Sequence, residues 1–73
     1  MTKAEAIARE IIKYTNTEDL LTQWELTTVS NDPGVYTVRG WLMDEFEARN
    51  PEAFDKWIEE DAKDETLRGY MGF

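Results

Sequence analysis

WELTTVSNDPGVYTVRGW, residues 24–41, decides the fold. Read as two extended arms around a turn, it places a hairpin in the middle of the chain; read as helix, loop, helix, it leaves no strand at all. WELTTV at 24–29 alternates as a strand would, yet Leu20, Leu21, Trp24 and Thr28 also fall on one face of a helix. The turn separates the two readings. Asp32-Pro33-Gly34-Val35 carries Pro at its second and Gly at its third position, the pattern of a type II turn, whereas tight hairpins use the primed turns. The expectation is therefore helix, loop, helix, with a longer looped hairpin between 24–29 and 35–41 as the alternative.

Downstream, Val38, Trp41, Leu42, Phe46 and Arg49 recur at i, i+3, i+4, i+8 and i+11, which no strand reproduces, and Thr37 is a candidate N-cap. Gly40 costs this helix about 1 kcal/mol relative to Ala and suggests close approach of another backbone. Asn50-Pro51 then stops one helix and starts the next, because Asn caps well and Pro fits the first helical position. Ala53, Phe54, Trp57, Ile58 and Ala62 form the apolar face of this next helix, with Glu52–Lys56 and Glu59–Lys63 as supporting pairs. Residues 66–73 read as a short apolar tail in which Tyr70, Met71 and Phe73 close the core. Upstream, Thr2 and Glu5 form a capping box, and Ala4, Ile7, Ala8, Ile11 and Ile12 make an apolar stripe at the 3.6 period. Thr17 reads as the cap of the helix that follows, with Glu18 and Asp19 in its acidic first turn. The sum is an all-α domain, a small bundle of four helices near 3–14, 17–29, 37–49 and 51–63 with room for a fifth turn.

YTVRGWLMDEFEARNPEAFDKWI at 36–58 resembles a recurrent family of small uncharacterised proteins from Gram-positive bacteria and their mobile elements. The resemblance spans about residues 17–60, and its specific parts are TVRGWxMD at 37–44 and RNPEAFxxW at 49–57. It implies a helical accessory protein with no assigned activity, and it brings no catalytic residue with it.

Composition bounds the rest. The area scaling law gives a chain of 73 residues and 8.6 kDa roughly 4,700 Å² of folded surface against about 12,500 Å² unfolded, a thin margin for one domain. Cysteine is absent, so apolar packing alone must hold the fold, and nine aromatics are the candidate core. Trp41 and Trp57 both sit on apolar stripes. The opening residues are read as a helix start with no signal peptide or membrane span, and the expected location is the cytoplasm. A net charge of −8 repels phosphate backbones and anionic lipid, which disfavours direct binding of nucleic acid or membrane. The acid is concentrated at 41–65, with ten acidic against three basic residues, whereas residues 1–16 carry a net +1.

Reactive chemistry is sparse. Histidine is missing and Ser30 is the only serine, so no nucleophile–base pair of the hydrolase type can be assembled, and the four glycines stand too far apart for a phosphate loop. No catalytic residue, metal ligand or cofactor site is assigned: Glu59, Glu60, Asp61, Asp64 and Glu65 are dense in carboxylate but lack calcium-loop spacing. The acid reads most simply as a face met by solvent and salt alone, an ordinary device for solubility, and two functional readings stand beside it. In one, Asp44, Glu45, Glu47, Asp55, Glu59, Glu60 and Asp61 form a face that meets a basic protein surface, and the chain is a non-catalytic interaction module. In the other, the same carboxylates mimic phosphates and block a nuclease or other nucleic-acid-binding protein. Arg39 is expected to bond the acids or stack on a ring, and Arg68 to act as a helix C-terminal charge. So thin a core is also compatible with a homodimer, since nine aromatics can leave an apolar face uncovered.

Overall fold

The computed structural model describes residues 2–73. Five helices follow one another: α1 Lys3–Tyr14, α2 Thr17–Thr27, α3 Val35–Arg49, α4 Pro51–Glu60 and α5 Leu67–Tyr70, the last entered through a 3-10 turn over Asp64–Thr66. The all-α expectation is met, the fifth turn is a real element, and neither arm of a 24–41 hairpin forms among the described residues. No helix of the described residues is long and apolar enough to cross a membrane.

Local side-chain chemistry sets the helix ends, in places differently from expectation. Thr2 caps α1, its hydroxyl accepting the Glu5 amide at 3.1 Å. Asn16, not Thr17, caps α2: its Oδ1 accepts the Asp19 amide at 2.8 Å, and Thr17 lies inside the helix. α2 stops at Thr27, two residues short of the expected 29. The Thr27 and Thr28 hydroxyls donate back to the Trp24 and Glu25 carbonyls at 2.6 and 2.7 Å, and the amides of residues 28–30 bond three residues back, tightening the last turn.

α3 starts at Val35 rather than behind a Thr37 cap. The Asp32 carboxylate accepts the Gly34 amide at 2.9 Å while its carbonyl accepts Val35 N–H at 3.0 Å, so the turn runs straight into the helix. Gly34 sits at φ −67°, in the right-handed region, so the turn is not type II. Asn50 caps α4 as expected, accepting the Ala53 amide at 3.1 Å, with Pro51 at the first position. α4 ends at Glu60, not at 63. Ala62 takes the left-handed conformation, φ 56°, and donates to the Trp57 carbonyl at 2.7 Å, so Ala62 is exposed rather than part of the apolar face. This early end leaves Lys63 beyond the helix, 3.8 Å from Asp61, and neither Glu59–Lys63 nor Glu52–Lys56 is among the ion pairs of the described residues.

The core is built from Leu20, Leu21 and Trp24 of α2, Leu42 and Phe46 of α3, Phe54 and Trp57 of α4, and Leu67 and Met71 at the chain's end. Trp24 stands at its centre. Its ring meets Phe46 edge-on at 6.1 Å between centroids and Trp57 edge-on at 6.0 Å, the arrangement aromatic quadrupoles favour. Both buried indole N–H groups find main-chain carbonyls in the α4–α5 connection: Trp24 bonds Asp64 at 3.1 Å and Trp57 bonds Lys63 at 2.9 Å. Of the three tail residues expected to close the core, Met71 does so together with Leu67, Tyr70 is half-buried, and Phe73 at the chain's end is exposed. Four aromatics are fully in the core; Tyr14, Tyr36 and Phe73 are exposed, and Trp41 and Tyr70 are half-buried.

All four arginines join separate parts of the chain. The Arg39 guanidinium lies 4.0 Å from the Trp24 ring centroid while bonding Thr27 and Asp64 at 2.7 Å each, so it stacks and pairs at once. Arg68 grips both carboxylate oxygens of Glu25 at 2.9 Å, tying α5 to α2 rather than serving as a helix-end charge alone. The hydrogen bond from Arg68, helped by its charge and opposed by desolvation, holds Glu25 below its ordinary value of 4.5.

Three outcomes follow from this packing. Trp57→Ala removes a side chain with 2% of its surface exposed and lowers unfolding free energy by about 3–5 kcal/mol in denaturant titration. Gly40→Ala raises it by roughly 1 kcal/mol, because a Cβ there meets nothing within 4 Å; the close backbone approach inferred from that glycine is absent. Because the Glu25 carboxyl is depressed, its contribution is present above pH 4.5 and is lost as pH falls through its folded value. Melting curves of Glu25→Gln and the native chain accordingly differ at neutral pH and converge in acid.

Candidate docking surface

α1 is the odd element of the bundle, since none of its residues is buried. Its stripe was expected to face the core, but Ile7 is 51% and Ile11 63% exposed, and Tyr14 stands out at 78%. Only Ile12 packs against the core cluster. Polar ties hold the helix instead. Arg9 bonds Glu5 at 2.9 Å and reaches Asp44 of α3 at 3.1 Å. Arg49 of α3 donates to the Ile12, Lys13 and Thr15 carbonyls at 3.0, 3.2 and 2.6 Å, and to the Thr17 hydroxyl at 3.1 Å. One guanidinium thus supplies the missing partners of the α1 C-terminus and fixes the α1–α2 corner.

A groove of about 480 Å³ opens where α1, α2 and α3 meet. Leu20 and Leu42 form its floor edge, and Ile11, Ile12, Val38 and Trp41 line its sides. Of its twelve lining residues only Asp19 is charged, and the Asn16 amide donates to that carboxylate at 3.0 Å. Ile11 and Thr15 also border a second hollow with Ile7, Glu10 and Tyr14, so Ile11 joins the groove to the exposed apolar side chains of α1. Trp41, read as core, belongs to this wall. On α3 it lies about 140° around the helix from Phe46, by the 3.6-residue turn, so it cannot share the buried face that Leu42 and Phe46 occupy.

The seven carboxylates expected to form one acidic face divide by their partners. Asp44 pairs with Arg9, and Glu45 with Arg49 at 2.8 Å. Glu60 accepts the Tyr70 hydroxyl at 3.0 Å, which raises the Tyr70 pKa above 10.0, and Asp61 lies near Lys63. Glu47, Asp55 and Glu59 are exposed and make no ion pair or side-chain hydrogen bond among the described residues, with Asp55 and Glu59 one turn apart on α4. Among the described residues no group of three or more acidic side chains is placed to hold a metal ion. Ser30 accepts the Asp32 amide at 3.2 Å as part of the turn.

The sequence signal that could have located the groove is the surplus of apolar stripes. Four long helices offer apolar stripes to one small core, and those of α2, α3 and α4 fill it through Trp24, Phe46 and Trp57 before α1 is counted. Compared with known proteins, the chain matches no family model, and it has no significant match to a curated protein or a solved structure.

Proposed function

We propose that this chain is a non-catalytic interaction module that works through the apolar groove between α1, α2 and α3. The observation that carries the reading is Trp41, half-buried in the wall of that groove and continuous with the exposed Ile7, Ile11 and Tyr14 of α1. Tryptophan and tyrosine are the side chains that anchor protein interfaces, because they remove much apolar area from water at low entropic cost. A contiguous uncovered patch of this kind marks a docking surface more often than it marks bare solvent contact. The absence of histidine and cysteine from the sequence supports a binding role over a chemical one, and the resemblance of residues 17–60 to small proteins of Gram-positive bacteria and their mobile elements is in keeping with an accessory role.

The phosphate-mimic reading keeps one supporting observation, the uncommitted Glu47, Asp55 and Glu59. It is the narrower of the two, since intramolecular partners engage the other four acids.

Capture from a lysate of the source organism separates them, using the native chain, Ile11→Lys and the double variant Asp55→Lys, Glu59→Lys. Ile11 is 63% exposed, so its replacement leaves folding within about 0.5 kcal/mol. Polypeptides retained by the native chain and the double variant but lost by Ile11→Lys support the groove. Loss with the charge reversal alone transfers the function to the acidic side.

A further inference from the structure

The occupant of a groove is constrained by what stands beside it. Here exposed side chains and a cleft share one face: Ile7, Ile11 and Tyr14 of α1 are half or more exposed, and Ile11 also lines the cleft walled by Val38 and Trp41. A two-fold contact requires each patch to complement itself, with every projection and its receptacle on the same surface. We infer that the groove is filled by a second copy of this chain, the exposed apolar side chains of α1 in each copy seating in the groove of the other; the inference rests on the groove being a docking site.

Charge points the same way. Two molecules of net charge −8 repel, and they approach most easily through the surface that carries least of that charge. Residues 1–16 sum to +1, and the groove and the adjoining hollow hold only Asp19 and Glu10 as charged lining residues. Glu52, Asp55, Glu59 and Glu60 all lie on α4, which contributes nothing to either lining. A basic partner would find its complement on α4 and not here. Burying α1, the one long helix that lacks a buried residue beside four core-forming segments, also gives its apolar stripe the cover that the monomer withholds.

Sedimentation equilibrium of the full chain tests this, over protein concentrations from about 1 µM to 1 mM and at salt from about 0.02 to 0.5 M. The native chain is expected to form dimers that tighten as salt rises, because screening removes repulsion between like-charged copies. Ile11→Lys is expected to weaken the dimer by about 100-fold or more with an unchanged helical spectrum, while Ile58→Lys, at a residue 46% exposed on α4, leaves it intact. A native chain that stays monomeric throughout overturns the second-copy assignment, and so does a dimer that survives Ile11→Lys or loosens with salt. Monomeric behaviour together with groove-dependent capture of a different polypeptide removes only the second copy and leaves the docking role standing.

Discussion

Trp24 is the contact on which the other elements depend. Its ring edges meet Phe46 of α3 and Trp57 of α4, its face carries the Arg39 guanidinium, and its indole N–H reaches the Asp64 carbonyl in the turn before α5. One side chain therefore orients three helices and a connection that lie far apart in sequence. In a chain with no disulfide, so central a residue replaces the covalent staple that small domains otherwise use. The neighbouring Trp57 extends the arrangement by one carbonyl, to Lys63. Phenylalanine in either place would remove the indole donor together with part of the buried ring, although the Lys63 carbonyl would still accept from the Thr66 amide and hydroxyl.

Arginine does the second part of the assembly. Arg9, Arg39, Arg49 and Arg68 each bond an acid and also bridge distinct parts of the chain. Their planar forks reach several acceptors at once, which a lysine ammonium on a flexible stem does less well. Committing every arginine to internal bonds also alters the exterior. The cations that remain without an ion pair among the described residues are lysines, and solvent meets a surface more uniformly acidic than the plain count of residues suggests.

Much of the fold was legible in the chain because local chemistry determines it. The Asn50-Pro51 boundary, the Thr2 cap and the buried places of Phe46, Phe54 and Trp57 follow from backbone preferences and helical spacing alone. The start of α3 was misread because a free-standing Thr37 cap and an Asp32-led turn leave similar marks, and only the second carries the chain directly into the helix. The docking surface was harder to see. A helical stripe reports that a face is apolar, not whether other residues remain to cover it, and for α1 few do. Nor does residue order show that Arg9 would engage Asp44, 35 positions away, and so dissolve one end of the apparent acidic face.

The way α1 is attached has a consequence for motion. Detaching a helix that contributes to a core exposes apolar surface, and its opening then costs nearly as much as global unfolding. α1 has no fully buried residue, and its ties are Ile12, the Arg9–Asp44 pair and the Arg49 bonds to its last turn. Water can replace most of these as the helix lifts, while Trp24 and its neighbours stay packed. In a single copy, amide exchange in α1 is thus expected to proceed through a local opening of low free energy, largely independent of the cooperative unit formed by α2 to α5, and pairing of copies through α1 would suppress it.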